Sequence, residues 1–133
     1  MKGDFRKIIR SSEADTMETI RKIIITEIIG DGICVASEDG KAVYNELHPS
    51  LNEGCPVILS FEGVEVMTSA FLNAAVGRLY KDHSAEKIDS CLRTEYSDSF
   101  HGYLLERVKR NAIAYYADPE KFRESLRGIL DDE

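Results

Sequence analysis

The segment Phe61–Tyr80, FEGVEVMTSAFLNAAVGRLY, constrains this chain more than any other. It follows the short, almost uniformly apolar run Pro56–Phe61, as expected of a central strand covered on at least one face. Glu62-Gly63-Val64 turns the chain, and Thr68-Ser69 then opens a helix. Leu72, Ala75, Val76 and Leu79 fall at the spacing of one helical face, so that stripe is expected inward. The order strand, turn, hydroxyl pair, helix puts a hydroxyl at the positive end of a helix.

The flanking segments alternate in the same way. Arg21–Ile29, RKIIITEII, is rich in β-branched residues and stops at Gly30-Asp31-Gly32, which predicts a strand. Ile33–Ser37 is expected to pair with it as a hairpin. Ser37-Glu38-Asp39-Gly40 opens a helix carrying Val43, Leu47 and Leu51 on one face. Pro49 should kink or restart that helix, and Asn52-Glu53-Gly54 closes it. Ile88–Tyr96 is expected to be a strand. Gly102–Ala117 is expected to be a helix with Leu104, Leu105, Val108, Ala112 and one of Tyr115 and Tyr116 inward. Asp118-Pro119 supplies a cap and a first-position proline for a last helix.

The string implies an α/β fold: a mixed sheet of about four to five strands with helices mainly on one face. With 133 residues the simplest organisation is a single domain over 1–133. Within it, 1–20 is hard to define, with Phe5, Ile8 and Ile9 as its apolar residues, and 118–133 forms a C-terminal helix and an acidic tail.

Charge and composition narrow the function classes. A net charge of −7 argues against general affinity for nucleic-acid backbones. No apolar run approaches the ~18 residues of a membrane span, and the N-terminus lacks the pattern of a secretory signal. Cys34, Cys55 and Cys91 are far apart with no CxxC, which fits reduced thiols and a cytoplasmic protein. His48, His83 and His101 are scattered, so no metal site is expected. No GxGxxG or P-loop occurs, no cofactor is required, and no nucleophile, base and orienting group can be assembled from spacing. A non-catalytic protein is expected.

At the Thr68-Ser69 helix start, one reading is capping alone; another is phosphorylation of Ser69, whose new charge the helix N-terminus would stabilise. A helical wheel places Ala70, Ala74, Gly77 and Lys81 opposite the apolar stripe. Small residues there suit either close approach of a partner or coverage by the C-terminal helices.

At these residues the chain resembles the STAS-like family, a domain of unknown function (DUF4325-type) akin to the STAS domains of anti-sigma factor antagonists. The resemblance runs through PVILSFEGVEVMTSAFLNAAVGRLY, with EDGKAVYNEL before it and LLERVKRNAIAYYADPEKF after it. In those antagonists the helix begins Asp-Ser-Ser-Gly-Leu, and a kinase that is also the anti-sigma factor phosphorylates the first serine. Ser69 falls on that serine, Leu72 on the leucine, and Gly77-Arg78 on a later Gly-Arg. Thr68, Ala70 and Phe71 depart from the aspartate, second serine and glycine. The resemblance implies a regulatory protein-interaction module with Ser69 as the phosphorylation site. Its partner surface would comprise Thr68, Ser69, Ala70, Asn73, Ala74, Gly77 and Arg78. The implied partner is a histidine-kinase-like ATPase or another signalling protein, and homo-oligomerisation stays open. The alternative is a small-molecule or nucleotide-binding sensor with a pocket near Gly63 and Thr68, at the start of the 68–80 helix.

Overall fold

The computed structural model describes residues 20–131, with side chains to Leu126. Expectations for Phe5, Ile8 and Ile9 and for the last two acidic residues lie outside them. The chain runs β1 (Arg21–Ile24), α1 (Ile25–Ile29), β2 (Ile33–Cys34), α2 (Ser37–Asn52), β3 (Val57–Ser60) and β4 (Val66–Met67). A continuous helical stretch follows: α3 (Ser69–Leu72), a π segment (Asn73–Gly77) and α4 (Leu79–Asp82). Then come α5 (Ala85–Cys91), β5 (Leu92–Glu95), α6 (Ser99–Ala117) and α7 (Pro119–Asp131).

The α/β class holds, but the single mixed sheet does not. The strands form two small parallel sheets, one ordered β1-β3-β5 and the other β2-β4. The central position of β3 follows from its composition: Val57, Leu59 and Ser60 are buried, and parallel neighbours flank it on both sides.

Three local readings of the sequence give way to tertiary context. The β-branched run from Arg21 stays extended only to Ile24. Ile25 is fully buried and starts α1, and Gly30, at φ 75°, donates its N–H to the Thr26 carbonyl to end it. The expected hairpin is absent because β2 does not fold back on β1. It pairs with β4 beyond the Gly63 turn, Ile33 opposite Val66 and Cys34 opposite Met67. The Glu65 and Thr68 N–H groups extend this ladder to the carbonyls of Gly32 and Cys34, at 2.8 and 3.1 Å. Finally, Ile88–Cys91 is helical. Ser84 caps α5 by accepting from the Lys87 N–H at 3.1 Å, and Ile88 and Cys91 are buried one turn apart. Extension begins only at Leu92.

One apolar core joins these elements. Val43, Leu47 and Leu51 from α2 meet Phe71, Leu72, Ala75, Val76 and Leu79 from the 69–82 stretch, all without solvent exposure. Each large side chain buried there contributes about 1.5–3 kcal/mol. The helix α2 runs through Pro49. The effect is to seat the 69–82 helix firmly between α2 and α6, so that its start is fixed relative to both sheets.

Candidate functional site

Division of labour between two hydroxyls defines the helix start. Thr68 is the cap: its Oγ1 accepts from the Phe71 N–H at 3.2 Å and donates to the Val35 carbonyl at 3.0 Å. Ser69 is exposed, and its hydroxyl has no hydrogen-bond partner among the described residues. The capping task therefore falls on the first of the pair and leaves the second oxygen available.

The surroundings of Ser69 are mixed. Ala70, Asn73 and Arg78 are exposed, while Thr68 and Ala74 are half-buried. Gly77 is buried, and an added Cβ would lie 3.4 Å from Val108 Cγ1 and 3.7 Å from Ala112 Cβ. For Gly77 the small residue thus serves contact with α6 inside the chain. Ala74 faces Gly40 of α2, where a Cβ would lie 2.8 Å from the Ala74 Cβ. Beside the helix start, Ile33 and Val66 of the small sheet and Val35 just after β2 expose 40, 47 and 40% of their surface. These three form an apolar edge to the exposed Ser69-Ala70 corner.

On its other flank the helix borders a groove of about 460 Å³. Ser69, Asn73 and Gly77 form one wall, and Leu104, Val108 and Ala112 of α6 contribute apolar surface. Arg107 and Asn111 supply polar groups. Tyr115, Tyr116, Phe122 and Leu126 close it near the α6–α7 junction. That junction is organised by Asp118, whose Oδ1 accepts from the Lys121 N–H at 3.1 Å. The Tyr115 ring sits edge-on to Tyr116 and Phe122, with centroids 4.9 and 5.7 Å away. Burial and the neighbouring Tyr115 push the Tyr116 hydroxyl above its usual pKa.

A second depression of about 350 Å³ lies at the C-terminal ends of β3 and β5. It includes Gly63, but Thr68 does not line it, and Glu62, Glu95 and Asp98 give it a negative lining. Such a lining disfavours phosphate groups.

Two of the three histidines meet in space, while His101 lies beside Asp98 and Phe61. His48 Nδ1 and His83 Nε2 are 3.0 Å apart, Tyr44 stacks on His48, and Tyr44 donates to Asp82 at 2.8 Å. The Arg78 guanidinium lies 5.0 Å from the centre of the Tyr44 ring. Burial, then the charges of His48 and Lys87, hold His83 below its usual pKa. Among the described residues no group of three or more His, Cys, Asp and Glu converges to hold a metal ion. No helix there is long and apolar enough to cross a membrane. His48 and His83 are on different elements, so no spacing in the sequence signals their meeting. Arg107 and Asn111 were equally hidden, though their four-residue step with Tyr115 on a predicted helix marks a shared face.

Compared with known proteins, residues 39–95 match the family model described as a STAS-like domain of unknown function (DUF4325). The match spans α2 to β5 and includes the helix start and the histidine pair. No curated protein and no solved structure matches the chain.

Proposed function

Since residues 39–95 of this chain match the model of the STAS-like domain of unknown function, we propose that the protein is a non-catalytic regulatory module. It docks a protein partner on the corner formed by Ser69, Ala70 and Asn73, with Arg78 further along the same helix beside Tyr44. The observation that carries this reading is the exposed Ser69 hydroxyl, relieved of capping by Thr68. It stands beside the exposed apolar edge Ile33, Val35 and Val66. A corner that joins apolar surface to polar side chains has the make-up of a protein-interaction site.

In this reading Ser69 is also the charge switch. Phosphorylation would add about two negative charges at a helix start that favours them, and would change what a partner meets at the centre of the corner. A histidine-kinase-like ATPase or another signalling protein is the partner class. No cofactor takes part.

The test compares wild type, Ser69→Ala and Ser69→Asp as baits in the native cell, with captured proteins identified by mass spectrometry. The proposal expects a partner held by wild type and Ser69→Ala and lost with Ser69→Asp. Identical capture by all three, with no phosphate on the intact mass of the recovered wild type, would contradict the switch.

A further inference from the structure

The groove between the 69–82 helix and the α6–α7 pair has a composition that the docking corner does not explain. Ser69, Asn73 and Gly77 succeed one another at four-residue steps along one helix; Arg107, Asn111 and Tyr115 do so along another. Residues at that step share a helix face. The groove therefore receives ordered rows from both sides. Asn73 and Gly77 are also the two ends of the π segment, whose wide turn is closed by the Arg78 N–H on the Asn73 carbonyl at 3.0 Å. Such turns recur at functional sites.

The chemistry of the lining points to one class of ligand. Arg107 is the charged side chain in the lining, and among the described residues it has no ion-pair partner. A guanidinium with no ion-pair partner among the described residues, bordering a groove in a chain of net charge −7, is a place for an anion. Ser69, Asn73 and Asn111 add neutral donors. The remaining surface suits a flat apolar body, with Tyr115 and Phe122 as a wall of mutually perpendicular rings and Leu104, Val108 and Ala112 beside it. Tyr115 is braced from outside the groove, since Arg123 donates to its hydroxyl at 3.4 Å. A volume of about 460 Å³ falls within the range of small-molecule sites, roughly 300–1,000 Å³, which are mostly apolar with a few placed polar groups.

We propose that this groove binds a small organic anion with a planar aromatic body, its acidic group on Arg107 and its ring against the Tyr115–Phe122 wall. The site is separate from the acidic depression at Gly63 and shares Ser69 and Asn73 with the docking corner.

The probe pair 8-anilinonaphthalene-1-sulfonate and N-phenyl-1-naphthylamine tests this directly, because the second keeps the aromatic body and lacks the anion. Fluorescence titration of the full chain should give saturable one-to-one binding of the sulfonate. Arg107→Gln, an exposed position, should weaken the sulfonate by about tenfold, roughly 1.4 kcal/mol, and leave the neutral amine within about twofold. Asn111→Phe, which fills the groove from its exposed side, should weaken both probes. Unsaturable binding of the sulfonate, or equal affinity in wild type and Arg107→Gln, would overturn the proposal. So would an equal loss of both probes in Arg107→Gln. The Arg107 comparison stands even if the phenylalanine variant does not fold.

Discussion

A single threonine caps the helix start and leaves the neighbouring Ser69 hydroxyl exposed. Thr68 bridges two segments distant in sequence, accepting from Phe71 and donating to Val35. Thr68→Ala should cost about 1 kcal/mol through the lost cap, read as a lower urea midpoint. Ser69→Ala should leave the midpoint unchanged, because that hydroxyl holds nothing among the described residues. A larger loss at Ser69 than at Thr68 would reverse the assignment of roles. The sequence shows both hydroxyls at the helix start, so the presence of a cap was legible. Which of them caps depends on the Val35 carbonyl, which β2 delivers only through its long-range pairing with β4.

At the scale of elements, helix contacts are set by glycines whose neighbours differ. A Cβ on Gly40 would run into the Phe71 carbonyl oxygen and lie 2.8 Å from the Ala74 Cβ. Gly40→Ala gains about 1 kcal/mol of helix propensity but must push the backbone of the 69–82 helix away, at about 1–3 kcal/mol. The net expectation is destabilisation. Gly77→Ala meets the Asn73 side chain at 3.2 Å and Val108 at 3.4 Å. A flexible side chain can yield there, so the propensity gain should leave stability unchanged or raised. Denaturant midpoints of the two variants should move apart.

The contact between α2 and α4 should also respond to pH. His83 is held below its usual pKa by burial first, then by His48 and Lys87, against the pull of Asp82. The unfolded chain then binds more protons than the fold as pH falls below about 6.5. Stability is complete above that value and is lost as pH drops through the lower folded pKa. Asp82, held low mainly by the hydrogen bond from Tyr44, adds its own loss only at more acid pH. Wild type should lose urea resistance between pH 7 and pH 5, and His83→Gln should show a shallower slope; equal slopes would contradict this. Most elements were readable from period and punctuation, as with α2, β3, the 69–82 helix and α6. The failures were short apolar runs that satisfy both periods. Ile25 and the Ile88–Cys91 pair carry apolar side chains suited to either state, and burial against the core selects the helix.

The whole molecule places three chemically different surfaces around one helix. Its exposed start abuts the apolar edge of the β2–β4 sheet, its flank borders the Arg107 groove, and its end carries the histidine pair. Of the first, the sequence showed the hydroxyl pair, a local signal, whereas the small residues Ala74 and Gly77 face α2 and α6 within the fold. The groove and the histidine contact arise from convergence of α2, α6 and α7 on that helix, which no single stretch encodes. The central claim is that a partner docks at the exposed start. A photo-crosslinking amino acid placed at Ala70, with the same group at exposed Asn52 on the far end of α2 as control, tests it in the native cell. A discrete covalent adduct from position 70 and none from position 52 is the predicted result; adducts of the same proteins in equal yield from both positions, or none from position 70, would contradict it.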